Sequence, residues 1–301
     1  RSLQGLSFAA DFAAVGVVTV RWAPLSETAI FLGFFTAFSA FSNAISNGVT
    51  GAFCMSSLGW RWSFYSHGMV GLVLFSFWLL LYSDDPQSHS LVSAKELETI
   101  QKDKTREHIE RDSFVPFKQI LRSRTILVVW FNAFTELVSV VSLLTYAPLY
   151  INKVLHYDKE STAVITFISS FLVFPLKLSV AFLSDWVTCF PEIPKMIFFN
   201  TVALGLGGIV TGFIPFSPTP FVAVLCFVLQ NCLASANSSG FYKCGTLHSR
   251  QFAHVVLATI QFMKCFALFV GPALTAIFLD SDEDAEGWKI VFLINAGAMI
   301  V

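Results

Sequence analysis

Nine apolar stretches of membrane-crossing length run through this 301-residue chain, separated by short loops and by one charged segment at 83–125. That pattern makes the chain an integral membrane protein before any motif is considered. In hydrocarbon every backbone N–H and C=O must be satisfied within the chain, which leaves helices or closed barrels. The stretches have helix lengths and lack the dyad alternation of a barrel strand. The expected fold class is an all-α polytopic membrane protein.

Composition agrees. Hydrophobic residues make up 55% of the chain, charged residues 13%, and Phe alone occurs 33 times. A soluble domain of this length needs more charge to cover its surface. With a formal charge of -1 and few Lys or Arg there is no footprint for a phosphate backbone, so no nucleic-acid partner is expected. Cys54, Cys189, Cys226, Cys232, Cys244 and Cys265 stand singly, with no CxxC pair. They are expected as small buried or membrane residues rather than metal ligands or disulfides. No span carries a metal cluster, a nucleophile elbow or a phosphate loop, so neither an enzyme nor a cofactor is expected. His67 is expected as a hydrogen-bonded helix residue.

The spans are expected at 2–20, 29–54, 64–82, 126–148, 162–181, 195–214, 219–238, 253–279 and 289–301, the first and last cut short by the chain ends. Arg1 opens the chain without a basic n-region or cleavage site, as in the interior of a longer protein. Alternate loops give the orientation. Arg21, Lys95, Lys102, Lys104, Arg106, Arg111, Lys118, Arg122, Arg124, Lys195, Lys243 and Arg250 fall on one side, against Arg61, Lys153, Lys159 and Lys289 on the other. The positive-inside rule then places 83–125 in the cytoplasm. The acidic run from Asp280 to Glu286 faces the other side as a solvated loop without EF-hand spacing. Ser93-Ala94-Lys95-Glu96 is a capping box, which predicts a polar helix from Lys95 to about Arg111 on the membrane face. The expected organisation is 1–82 as three helices of one bundle, 83–125 as a cytoplasmic linker, and 126–301 as a six-helix bundle.

Charge inside the spans is where function is expected. An ionisable group at mid-depth costs roughly 2.5–3.5 kcal/mol on insertion scales and so faces a bundle interior or a water-filled path. Arg1 and Asp11 lie in the first span, Glu136 in the fourth, Lys177 in the fifth and Lys264 in the eighth. Glu136 sits near the midplane on a stem too short to snorkel. Lys177, nearer the cytoplasmic end, is expected to have a stem that reaches the headgroups. Lys264, deep in its span, asks for a carboxylate or a bound anion. Pro148, Pro175 and the pair Gly271-Pro272 are expected to interrupt their helices and free backbone groups toward a cavity. Gly205, Gly207, Gly208 and Gly212, like Gly48 and Gly51, offer smooth surfaces for close helix packing.

Several segments carry a resemblance. Arg1-Ser2-Leu3-Gln4-Gly5-Leu6 followed by Arg21-Trp22-Ala23-Pro24 and Glu27, then Gly59-Trp60-Arg61-Trp62, Phe64-Tyr65, Asp85-Pro86 with His89, Pro148-Leu149-Tyr150, Ser184-Asp185, Ser239-Gly240-Phe241 and Gly271-Pro272 stand in order and spacing. They resemble the organic and phosphate anion transporters of the major facilitator superfamily, the anion:cation symporter branch of sodium/phosphate cotransporters, sialin and vesicular glutamate transporters. The resemblance covers nearly the whole chain and implies helices four to twelve of a twelve-helix fold, working by alternating access of two bundles. It further implies either a part of a longer transporter or a chain without transport, since one bundle lacking three helices cannot close a central site.

Residue by residue, the resemblance implies that Arg1 is the substrate arginine of the fourth helix, a planar fork suited to carboxylate or phosphate. Lys264 and Gln261 complete the expected substrate-binding set. Glu136, Asp11 and Lys177 form the expected coupling or charge network. Departures are several: the family's coupling acid is Phe8 here, its histidine is Gly16, and its seventh-helix arginine is Glu136. Its Asn-His-x-Asp cluster reads Cys244-Gly245-Thr246-Leu247, and its eleventh-helix asparagine is Gln261. A dicarboxylate held by two arginines is therefore not expected. The leading expectation is secondary transport of a small organic or inorganic anion, with a proton or sodium as coupling ion. The alternative is a diverged, non-transporting membrane scaffold or binding protein, and a membrane enzyme comes last. A plasma membrane and an endolysosomal or vesicular membrane both stay open.

Overall fold

The computed structural model describes Gly5 and residues 11–105 and 115–301. Every regular element among them is helical. The N-terminal part comprises α1 (Asp11–Trp22), α2 (Thr28–Thr36), α3 (Phe38–Met55) and α4 (Arg61–Leu81). Next come the short helices α5 (Ala94–Gln101) and α6 (Phe117–Arg122). The remainder is α7 (Arg124–Lys153), α8 (Lys159–Trp186), α9 (Glu192–Asn200), α10 (Gly207–Phe213), α11 (Pro220–Ala234), α12 (Phe241–Ser249), α13 (Ala253–Phe278) and α14 (Ala285–Ile300).

Six helical stretches among the described residues are long and apolar enough to span a membrane. The nine expected spans contract to these for three reasons. Pro220–Phe278 runs through two of them, the first is described only from Asp11, and α14 has 16 residues. The expected boundaries also shift. The second span is divided at Ala37 into α2 and α3. The seventh passes through a 3-10 turn at Ser235–Ser238 and resumes as α12, so Lys243 lies in a helix rather than in the expected loop. Pro148, Pro175 and Pro272, expected as interruptions, lie inside continuous helices. The irregular turns fall instead at 235–240 and at the π-helical stretch Thr201–Leu206 between α9 and α10.

Packing explains which helices meet. Trp130 of α7 donates its indole N–H to the Val256 carbonyl of α13 at 3.1 Å, within a core that includes Phe12, Leu32, Val129, Phe241 and Ile260. At the opposite end Tyr150, Phe227, Trp288 and Phe292 form an aromatic cluster, the Tyr150 and Phe292 rings meeting edge-on at 5.0 Å. The glycine face of α10 behaves as expected: a Cβ added at Gly208 would stand 2.8 Å from Ile300 and 3.1 Å from the Ala296 carbonyl of α14. Gly48 has nothing near it, so its expected packing role is not realised among the described residues. Helix α4 buries Ser63 alone, bonded to Thr50 of α3 at 2.7 Å, and turns a continuous apolar surface outward. Such a surface is at home in lipid or against another apolar helix.

The segment between α4 and α7 is anchored to the end of α1. Ser93 caps α5 through the Glu96 amide as expected, but the helix stops at Gln101. Residues 106–114, where its predicted continuation falls, lie outside the described residues. Lys104 reaches back to donate to the Val20 and Arg21 carbonyls, both at 3.1 Å, which satisfies two acceptors at the end of α1. Arg21 pairs with Asp85 at 3.0 Å. Burial, and then the Arg21 charge, push the Lys104 ammonium down to about 8. His67 bonds the Ser63 carbonyl of its own helix at 2.6 Å, as expected.

Candidate functional site

A cavity of about 400 Å³ lies where α1, α2 and α3 face α7, α8, α11, α12 and α13. Its wall holds Glu136, Lys177 and Lys264, three of the residues singled out in the sequence, beside Asn237, Tyr242 and Asn43. Each charge comes from a different helix and from well within it. Glu136 is 12 residues into α7, Lys264 is 11 residues into α13, and Lys177 stands nine residues short of the end of α8. At 1.5 Å per residue, nine residues put Lys177 about 14 Å from that end.

That depth overturns the expectation of a snorkelling Lys177. Its side chain is 7% exposed, lines the cavity, and lies 6.0 Å from the centre of the Tyr242 ring. It interacts electrostatically with Glu136 across the cavity. Lys264 stands over two rings, 5.3 Å from Phe12 and 5.7 Å from Phe38, so residues of α1 and α3 cradle a cation of α13. Asp11, at the start of α1, interacts electrostatically with Lys264. Gln261 is buried one turn before Lys264 in α13 but does not line the cavity. Arg1, expected to share the site, lies outside the described residues, as does Phe8.

Glu136 is fully buried, and its Oε1 accepts a hydrogen bond from Asn237 Nδ2 at 2.6 Å. Asn237 belongs to the 3-10 turn between α11 and α12, and its side chain lines the cavity. Asn231, one turn and a half earlier, donates to Ser169 of α8 at 2.8 Å. None of these amides stood out in the sequence. An Asn in an apolar run carries no charge to mark it, and in the sequence position 238 reads as the end of a span rather than as a turn leading into a further helix.

A second polar cluster joins α8, α9, α12 and α2 at the end where α8 finishes. Lys243 of α12 is 2% exposed and meets Asp185 of α8 and Glu192 of α9, each at 2.7 Å. Asp185 also accepts from the Ile30 backbone N–H in the first turn of α2 at 2.9 Å. A carboxylate there satisfies an orphan donor and meets the positive end of the helix dipole. Lys195 pairs with Glu192 at 2.7 Å and caps the end of α8 through the Ser184 and Val187 carbonyls. Lys195 and Lys243, counted among the loop cations for orientation, are thus structural.

Known proteins bear on this arrangement directly. Residues 1–272 match the Major Facilitator Superfamily. The chain is similar to sodium-dependent phosphate transport protein 1 of Rattus norvegicus, 26% identical over 313 residues covering 99% of this chain and 64% of that protein. It is also similar to human sialin, 26% identical over 304 residues, 98% of this chain and 60% of sialin. Sodium-dependent phosphate transport protein 3 of Mus musculus is 23% identical over 302 residues, covering 98% and 62%. The chain therefore spans less than two thirds of the length of these relatives, two of which are named as phosphate transport proteins. It belongs to the Major Facilitator Superfamily of membrane transporters and is similar to its phosphate-transporter and sialin members.

Proposed function

We propose that this chain carries a small organic or inorganic anion across a membrane by alternating access, with 1–82 and 126–301 as the moving bundles and 83–125 as their linker. The observation that supports the reading best is the placement of two lysines and a carboxylate on the wall of one cavity between the two groups of helices. Lys264 offers the anion a charge held over the Phe12 and Phe38 rings, and rocking of one bundle against the other would open and close that pocket. Arg1 would supply the two-pronged contact that an ammonium lacks. Gln261 supports this set from behind Lys264. Glu136, Lys177 and Asp11 form a charge network that couples the anion to a cation. The names of two relatives point to sodium as that cation. The chemistry around Glu136 points to a proton.

Uptake of labelled phosphate and of a labelled organic monocarboxylate into proteoliposomes tests the proposal. Uptake driven by an imposed cation gradient, and abolished by Arg1→Ala but not restored by Arg1→Lys, is expected. Undiminished uptake in Arg1→Ala overturns the anion site, and absence of uptake for both solutes in well-folded protein overturns the transport reading.

A further inference from the structure

Glu136 and Asn237 share one hydrogen bond and are left with two acceptors. Asn237 Nδ2 donates to Glu136 Oε1 at 2.6 Å. Glu136 Oε2 and Asn237 Oδ1 are both buried, and neither has a hydrogen-bond partner. The residues are 1% and 8% exposed, and both line the central cavity. Leaving a buried polar atom unsatisfied costs roughly 1–3 kcal/mol, more for a charged group, so two such acceptors on residues already bonded to each other call for something to share.

A single proton satisfies both. Protonated at Oε2, the carboxyl donates to Asn237 Oδ1 while Oε1 keeps its bond from Nδ2, which is the two-bonded ring of an acid and an amide. The same proton removes a charge that the buried position holds only at a cost. A hard cation fits less well. It asks for a shell of oxygen ligands free of competing positive charge, whereas the ammonium groups of Lys177 and Lys264 line the same wall as the two unpartnered acceptors.

We propose that the Glu136–Asn237 pair holds the coupling proton and, when protonated, fastens α7 to the turn between α11 and α12. The inference rests on the anion-transport reading. The charged and titratable groups around Glu136 define the cycle: Lys177 of α8, Tyr242 of α12, Lys264 of α13 and, beyond Lys264, Asp11 of α1. Of the cavity-lining residues described in α3 and α11, none is titratable. With the proton gone, the Glu136 carboxylate holds the Lys177 ammonium by charge. With the proton on Oε2, Lys177 is released to an anion entering the cavity. The proton and the anion then enter together, each neutralising one partner of the Glu136–Lys177 pair. The turn at 235–240 is the element that feels the change, because Asn237 is its bonded residue and its backbone is held by short 3-10 hydrogen bonds rather than by a continuous α-helical ladder.

Infrared difference spectroscopy of the purified chain in lipid, stepping pH in the absence of sodium, reads the proton directly. The expected result is a carboxylic C=O band that appears on acidification, is lost in Glu136→Gln and is shifted in Asn237→Leu. Glu136→Gln is isosteric and still accepts from Asn237, and Asn237→Ser serves should the leucine variant not fold. A band retained in Glu136→Gln, unmoved by the Asn237 variant, or removed by sodium chloride at constant pH overturns the proposal. Uptake distinguishes the two readings: a Glu136 band in a chain that carries no anion overturns transport and leaves the proton site standing. Proton-driven uptake without that band overturns the site alone.

Discussion

Lys243 Nζ stands 2.7 Å from Asp185 Oδ1, with both side chains closed off from solvent at 2% and 3% exposure. The second oxygen of Asp185 holds the first turn of α2, so one carboxylate joins α12, α8 and α2. Removing one partner of a buried pair leaves an uncompensated charge, at a cost of about 3–5 kcal/mol. Asp185→Ala is expected to lower the thermal unfolding midpoint in detergent, because it orphans the Ile30 amide and leaves Lys243 paired only with the half-exposed Glu192, so the loss falls short of that full cost. Asp185→Leu combined with Lys243→Met is expected to recover much of the loss. A double variant as unstable as Asp185→Leu alone would show that the Ile30 contact, and not the ion pair, carries the stability.

Lys104 gives a pH dependence with a definite sign. Its ammonium is pushed down to about 8 from 10.5, chiefly by burial, so docking disfavours the charged form. Below pH 8 the docked lysine is charged at that cost. As the pH rises from about 8 toward 10.5 it sheds its proton while an undocked lysine keeps one, and docking strengthens. The neutral amine still donates to both carbonyls. Hydrogen exchange of the α5 amides, corrected for intrinsic rate, is expected to slow across that interval. Lys104→Met is expected to abolish the dependence and to weaken docking by roughly 1–2 kcal/mol, the worth of the lost hydrogen bonds. Exchange that quickens as the pH rises would contradict the assignment.

Gly16 marks a close approach of α1 to α13. A Cβ there would lie 2.6 Å from His254 Cα, a backbone atom that cannot rotate away. Gly16→Ala is expected to push the two helices apart at about 1–3 kcal/mol, despite alanine's better helix propensity. Unfolding in detergent measures the loss, and a more stable Gly16→Ala would mean that this contact is looser than described.

Much of the fold was legible in the sequence because bilayer thickness turns an apolar run into a helix with little competition. What escaped was decided by contacts between helices. Lys177 was expected at the headgroups from its position in a span, yet Glu136 and Tyr242 on neighbouring helices hold it at the cavity. The prolines of α7, α8 and α13 were expected to break their helices, while the actual irregular turn at 235–240 contains no proline at all. Charges were visible as anomalies in apolar runs, so Glu136, Lys177 and Lys264 could be named from sequence. Asn237 could not, because an amide becomes informative only when its partner is known.

The charge network makes the last prediction, which separates stability from transport. Lys177 and Glu136 line one cavity and interact electrostatically, so Lys177→Met takes away the carboxylate's counter-charge and is expected to cost stability. Glu136→Gln removes that carboxylate and leaves Lys177 uncompensated instead. If the two act as a pair, the double variant should be more stable than the sum of the single losses predicts, with a coupling of roughly 0.5–3 kcal/mol. The stable double variant is nonetheless expected to lose the pH dependence of anion uptake, because neither the proton acceptor nor the releasable cation is left. Lys264 behaves differently, since its ammonium rests over the Phe12 and Phe38 rings and is proposed to meet the anion itself. Lys264→Ala is expected to reduce uptake at least about tenfold, which corresponds to 1.4 kcal/mol of lost anion binding, while keeping the pH profile of whatever uptake is left. Thermal unfolding and uptake at several pH values, measured on the same four proteins, check the whole set. Additive stability losses for Lys177→Met and Glu136→Gln would dissolve the pair, and a flattened pH profile in Lys264→Ala would move the coupling role to α13.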